Sequence, residues 1–270
     1  MDQDAPRILG FFPGCHQHGK FASVAPPFTM TRLLRRLLHV IFPTACAGCQ
    51  NPLEDDPVPF FCRRCWDRLK PIPGPFCPRC GRPFASPIAL LHSPTHQCGA
   101  CRARPMALTQ VWSLFPYQSP LKEAIALFKY RGKLSLTQPL AQAIVEALPA
   151  LPSLDVIIPV PLHPQRLRER EYNQSLMLAN RLSHHLGIPL FLACLLRIRP
   201  TVPQTSLSRK ERLTNLRRAF SVPKPARIKG KRILLVDDVL TTGTTLHECA
   251  KTLRRAGSGP VYGLTLARMV

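Results

Sequence analysis

The sequence predicts an α/β fold, a mostly parallel sheet flanked by helices, preceded by a small cysteine-rich module. Three observations carry this expectation. Eight of the eleven cysteines fall in four Cys-x-x-Cys pairs between residues 46 and 101. Past residue 105, short apolar runs alternate with segments whose apolar residues recur every three or four positions, the pattern of strands alternating with helices. One of those runs, Ile233 to Val236, leads directly into two aspartates and a threonine–glycine loop.

The chain has 270 residues, and its 45% apolar content supports a buried core. The first 30 residues hold Asp2, Asp4, several prolines and no apolar run of signal-peptide length. Met30 is followed by a helical period, Leu33, Leu34, Leu37, Leu38 and Ile41. The expected division is therefore a disordered extension over 1–29, a helix plus the cysteine module over 30–108, and an α/β domain over 109–270. The best apolar stretch, Leu33 to Phe42, is interrupted by Arg35, Arg36 and His39. It falls short of the roughly 20 residues of a membrane span, so no membrane insertion and a cytoplasmic location are expected. The net charge of +22, from 37 Lys and Arg against 15 Asp and Glu, favours polyanionic partners. No run of five basic residues exists, so part of that charge belongs to solvated faces.

The four pairs are Cys46/Cys49, Cys62/Cys65, Cys77/Cys80 and Cys98/Cys101. A Cys-x-x-Cys turn aims two thiolates at one point, and two turns complete a tetrahedral zinc site. Two zinc ions are expected. All-cysteine ligation makes them structural, supplying folding energy to a Pro-rich stretch that has little core of its own. Pairing in chain order is the simplest arrangement; spacing alone leaves an interleaved one open. A disulfide framework would need an oxidising compartment, and a thioredoxin-like motif would need one such pair at a strand-to-helix turn. His92 and His96 read as loop residues, Cys194 and Cys249 as core thiols.

In the second half, Val111 to Phe115 reads as a strand and Ser119-Pro120 as an N-cap with the first helical residue. Leu121, Ala124, Ile125 and Phe128 follow at helical spacing. A helix is expected over Leu136 to Leu148 and a strand over Val156 to Ile158. Leu176, Ala179, Leu182 and Leu186 mark a helix closed by Gly187. Ile233 to Val236 reads as a buried strand, Leu246 to Leu253 as a helix ending at Gly257, and Val261 to Ala267 as a last strand.

The stretch Ile233 to Thr245 is the most informative. A buried strand delivers Asp237 and Asp238 to the carboxyl edge of a sheet, where α/β ligands bind. Thr241, Thr242, Gly243, Thr244 and Thr245 then open a helix whose free N–H groups and positive dipole end suit a phosphate dianion. The acids lie where a ribose would present its hydroxyls.

These residues resemble the PRPP-binding motif of type I phosphoribosyltransferases. More broadly, the chain over about residues 31–270 resembles the ComF/GntX family, competence-associated proteins with a double zinc ribbon ahead of a phosphoribosyltransferase domain. The matching pieces are the four cysteine pairs, Leu127-Phe128-Lys129-Tyr130-Arg131-Gly132, Pro159-Val160-Pro161-Leu162, Arg168-x-Arg170-x-Tyr172-Asn173-Gln174-Ser175, Gln204 to Phe220, and Leu266-Ala267-Arg268. The family usually has glycine where Glu171 and Arg218 stand. The resemblance implies that the Thr241–Thr245 loop holds a 5-phosphate and that Asp237 and Asp238, as the catalytic pair, hold the ribose hydroxyls and favour the positive charge that develops on the ring. Pro159, Val160, Pro161 and Leu162 would form the pyrophosphate loop, with Arg166, Arg168 and Arg170 as phosphate clamps and Mg²⁺ bound together with PRPP. Thr201 to Arg218 would be a loop that closes over the site. The implied function is binding of PRPP or a ribose 5-phosphate, with transfer to an acceptor, in DNA uptake or nucleotide metabolism. The alternative is a non-catalytic single-stranded-DNA-binding factor with a regulatory or vestigial PRPP site. DNA-uptake proteins are the further implied partners, and Arg63, Arg64, Arg68, Arg79 and Arg82, around the middle two cysteine pairs, the expected DNA contacts.

Overall fold

The computed structural model describes residues 45–199 and 218–269, apart from Pro87, His92 and Pro94. Its sheet has four parallel strands, β1 (Gln110–Pro116), β2 (Val156–Pro159), β5 (Ile233–Leu240) and β6 (Val261–Arg268), in the order β1-β6-β5-β2. A two-stranded antiparallel pair, β3 (Leu196–Arg197) and β4 (Phe220–Ser221), stands apart from it. Among the described residues, three short helices, α1 (Arg63–Trp66), α2 (Ile88–Leu91) and α3 (Gly99–Ala103), belong to the cysteine module. The others are α4 (Leu121–Tyr130), α5 (Thr137–Ala147), α6 (Pro164–Arg170), α7 (Gln174–Leu186) and α8 (Thr244–Arg255).

Covering the sheet on both faces explains the unbroken apolar texture of β2 and the first half of β5. Successive side chains of a strand point to opposite faces. Leu234 and Val236 therefore enter one core with α4, α5 and α7, while Ile233 and Leu235 enter a second core with α8. The helix ends follow local chemistry. Asn173 caps α7 by accepting from Ser175 N and Leu176 N, and Gly187 closes it in the left-handed region.

Expected and observed elements differ in several places, the β3–β4 pair and the short helices α1 to α3 among them. β5 does not stop at Val236; its pairing with β6 continues to Leu240 opposite Arg268, so the acid pair lies within the strand. The cap of α4 is Pro120 instead of Ser119. Helix α6 was not anticipated; Pro164 starts it, and His163 accepts from Gln165 N. The helix expected after Met30, the extension before it, and the loop Thr201 to Arg217 lie outside the described residues.

The cysteine module packs on the edge strand β1. Ile72 N donates to Leu114 O at 2.8 Å. Gly81, at φ 67, runs so close to the strand that an added Cβ would lie 2.4 Å from Val111 O. Cys46, Phe61 and Cys65 share a core with α4, α5 and α7, and the described residues belong to one compact unit. Covering an edge in this way removes an exposed ladder of unpaired backbone groups.

Candidate functional site

The cysteines meet in two sets, Cys46, Cys49, Cys62 and Cys65, and Cys77, Cys80, Cys98 and Cys101. Chain-order pairing is the one adopted. Within each set the Sγ atoms lie within 4.8 Å of one another. Tetrahedral bonds of about 2.3 Å to zinc place two sulfurs roughly 3.8 Å apart. Cys49 and Cys62 are 3.7 Å apart and Cys80 and Cys98 3.6 Å. Backbone N–H groups point at sulfur, from Gly48 and Cys62 to Cys46 and from Cys98 to Cys77, at 3.3–3.4 Å. Such donors stabilise thiolates and fix their direction. The geometry fits two structural zinc ions. His96 packs on the Phe84 ring and belongs to neither set.

At the carboxyl end of the sheet, a cleft of about 940 Å³ opens between β5, α6 and α7. One wall carries Asp237, Asp238, Thr241, Gly243 and Thr245. The start of α8 forms part of this wall. Gly243 caps α8 at φ 76, and no side chain makes a capping hydrogen bond there. A Cβ there would meet Met106 Cε at 3.2 Å and carry left-handed strain. The hydroxyls of Thr242 and Thr244 bond to each other at 2.9 Å, with Thr242 exposed and Thr244 buried; these two help shape the loop and do not line the cleft.

The second wall comes from the segment after β2. Val160, Pro161 and Leu162 line the cleft, while Pro159 is buried as the last residue of β2. Arg166 and Arg170 also line it, but Arg168 is exposed and outside it. The reason is helical: four residues bring a side chain back to the same face of α6, and two carry it to the opposite one. Arg170 also lies over the Tyr130 ring at 4.9 Å and donates to Gln174 Oε1 at 3.2 Å.

The acids have partners the sequence reading did not assign. Asp238 is buried and ion-paired to Lys129 Nζ at 2.7 Å. Asp237 Oδ1 accepts from Ser175 Oγ and from Asp238 N, both at 2.9 Å. Burial first, then the adjacent Asp238 carboxylate, push the Asp237 carboxyl up to about 7, against the pull of Lys129 and Ser175. Burial alone would lower the Lys129 pKa; Asp238 and Asp237 more than offset this and hold it above the usual lysine value. Lys129 is supplied by the Leu127–Gly132 segment. That segment is tied to the turn before α7 through Tyr172 OH on Phe128 O, and to the first residue of α7 through Gln174 Nε2 on Lys129 O. Arg197 also reaches the cleft.

Glu171 and Arg218, where glycine is usual in the resembled family, adopt φ 66 and φ 55. The backbone keeps the left-handed conformation that glycine favours, although neither residue is glycine.

Residues 37–104 match a double zinc ribbon domain, and residues 173–261 match a phosphoribosyl transferase domain. Competence protein F of Haemophilus influenzae is 32% identical over 238 residues, covering 86% of this chain and 93% of that protein. Competence protein ComFC of Bacillus subtilis is 32% identical, over 77% of this chain and 83% of its own. DNA utilization protein YhgH of Escherichia coli K12 is 32% identical, over 71% and 83%.

Proposed function

The chain belongs to the competence protein F family, and on that premise we propose that its cleft binds PRPP or a similar ribose 5-phosphate and that the protein serves DNA uptake or utilisation in the cytoplasm. One observation carries the ligand. An acid pair and a helix-opening Thr–Gly loop share a wall of a cleft that Lys129, Arg166, Arg170 and Arg197 also line, together with Glu169 and Glu171. The N–H groups at the start of α8 and the Thr241 and Thr245 hydroxyls take the 5-phosphate. Asp237 and Asp238 accept from the ribose hydroxyls, and their charge favours the positive character a ribose ring gains when its C1 bond to pyrophosphate stretches. The Val160–Leu162 loop with Arg166 and Arg170 takes the pyrophosphate. Mg²⁺, a hard cation suited to oxygen ligands, would neutralise the pyrophosphate as it enters with it. Lys129 pairs with Asp238 across this wall of the cleft.

The names of the relatives supply the DNA-handling role, and the charge of +22 suits a protein that meets a polyanion. Calorimetry with PRPP and Mg²⁺ tests the ligand. Binding by the parent, weakened by roughly tenfold or more in Asp237→Asn/Asp238→Asn, is expected. Equal affinity in both proteins would remove the site from this cleft.

A further inference from the structure

A second cleft, of about 560 Å³, lies between the second cysteine set and α8. Arg79 reaches it from the Cys77–Cys80 turn, and Lys251, Arg254 and Arg255 reach it from α8. Backbone segment 106–109 forms its floor, and no carboxylate lines it among the described residues. Four cations therefore face one open groove with no acid beside them in its lining. Their internal contacts are few. Arg79 Nη1 donates to Leu108 O at 2.9 Å, which anchors the guanidinium. Arg254 Nη1 reaches Ser258 O at 3.5 Å. Lys251 lies 3.9 Å from Glu248, the loosest ion pair among the described residues.

The dipole of α8 accounts for basic residues in its last turn, Arg254 and Arg255. It does not account for Lys251, a turn earlier, or for Arg79, which arrives from a different part of the chain. Positions 251, 254 and 255 share a helix face, so they form a row, with Arg79 opposite. The groove is open, and its described lining offers no aromatic ring. A base would find nothing to stack on, and a small ligand would not be enclosed as pockets enclose them. A row of cations without a stacking platform suits a polymer of phosphates read through its backbone. Met106 lines this groove and also stands against Gly243 of the phosphate loop, so the two clefts adjoin along α8.

We propose that this groove seats the phosphodiester backbone of a single-stranded nucleic acid. The proposal rests on the reading that the protein handles DNA, and it moves the contact away from the module's exposed Arg63, Arg64 and Arg68. Only Arg79 of the expected arginine set takes part.

The test is fluorescence anisotropy of a labelled oligothymidylate over a salt series. It compares the full chain, Lys251→Glu/Arg254→Glu/Arg255→Glu, and a control with the same charge change, Arg63→Glu/Arg64→Glu/Arg68→Glu. The α8 variant should lose roughly tenfold or more in affinity, and its log–log salt slope should flatten by about 2, at roughly 0.7 per lost phosphate contact. The control should keep the parent's slope. Unchanged PRPP affinity and zinc content show that the variant is folded, and the milder Lys251→Gln/Arg254→Gln/Arg255→Gln should show the same direction. Parent binding left intact by the α8 changes, or lost equally in the control, overturns the groove while the DNA reading stands. Absence of binding by the parent at low salt overturns both. Displacement of the strand by inorganic pyrophosphate at matched phosphate concentration, in an Arg166→Ala/Arg170→Ala background, would show a small-anion site and overturn the proposal.

Discussion

Replacing Lys129 with methionine removes the ammonium 2.7 Å from Asp238 Oδ1 and keeps most of the side-chain volume. Both partners are largely shielded, at 18% and 9% side-chain exposure. Breaking a buried pair by deleting one partner costs about 3–5 kcal/mol. The lower figure fits a site that opens on a cleft, and about 3 kcal/mol corresponds to roughly 6–12 °C in Tm for a unit of this size. The sign with pH follows from the acids. The Asp237 carboxyl is raised to about 7 in the folded protein, so the native state holds a proton that the unfolded chain has released. Its contribution is greatest at acid pH and declines as pH rises toward 7. Without Lys129 the two carboxylates face each other unneutralised, so the decline extends to higher pH. The deficit of Lys129→Met should therefore be larger at pH 8 than at pH 5.5. Thermal unfolding followed by circular dichroism measures it. The double variant Lys129→Met/Asp238→Asn should recover at least about 1 kcal/mol relative to Lys129→Met alone. Additive losses, or a Tm equal to the parent's at both pH values, would refute the pair as the source of stability.

The remaining expectations concern metal, backbone and protonation. Elemental analysis after a chelator-free preparation should give two zinc ions per chain, and Cys98→Ser should give about one while lowering Tm. Gly81→Ala should destabilise by about 2 kcal/mol or more, because its Cβ would stand 2.4 Å from backbone oxygen at a left-handed φ; denaturant unfolding reads this directly. Glu171→Gly should be neutral or stabilising by up to about 1 kcal/mol, since relief of left-handed strain opposes the extra freedom of unfolded glycine; because Glu171 lines the cleft, loss of its carboxylate should leave PRPP affinity at or above the parent's. Calorimetric PRPP affinity at saturating Mg²⁺ should fall as pH drops below about 7, where Asp237 takes up a proton; a flat profile from pH 8 to 6 would show that Asp237 need not be ionised.

The sequence exposed the parts of this site that are contiguous and hid those that depend on three-dimensional partners. A strand running into Asp237-Asp238 and a Thr–Gly loop is a local signal, and the loop stands where the strand delivers it. The cysteine spacing pointed to two zinc ions but left the pairing open, because any two of these turns satisfy the same ligand rule; the fold decided it. Lys129 was visible inside Leu127–Gly132, yet nothing local told that α4 would bring it to Asp238. Arg168 stands beside Arg170 in the resembled motif, and a motif does not say which face of a helix each residue occupies. Without α6, no face could be assigned to alternate arginines.

The zinc module also bears on the cleft. Arg268, the last residue of β6, is buried and donates from Nη1 to Cys80 O at 2.9 Å. Its own carbonyl accepts from Tyr117 N, and the next residue, Met269, donates to Leu240 O. Tyr117, Leu240 and Met269 all line the ligand cleft. The Cys77–Cys80 turn thus holds the end of β6 at the point where three cleft residues converge, and Gly81 fixes that same turn against β1. A zinc site with four cysteine ligands is rigid because all four share one centre. Anchoring the strand end to such a turn adds a restraint to a part of the cleft that β1 and β5 already hold in register through Pro116 and Leu240. This gives a physical reason for joining a zinc module to a phosphoribosyltransferase-type α/β domain, independent of any role in meeting nucleic acid.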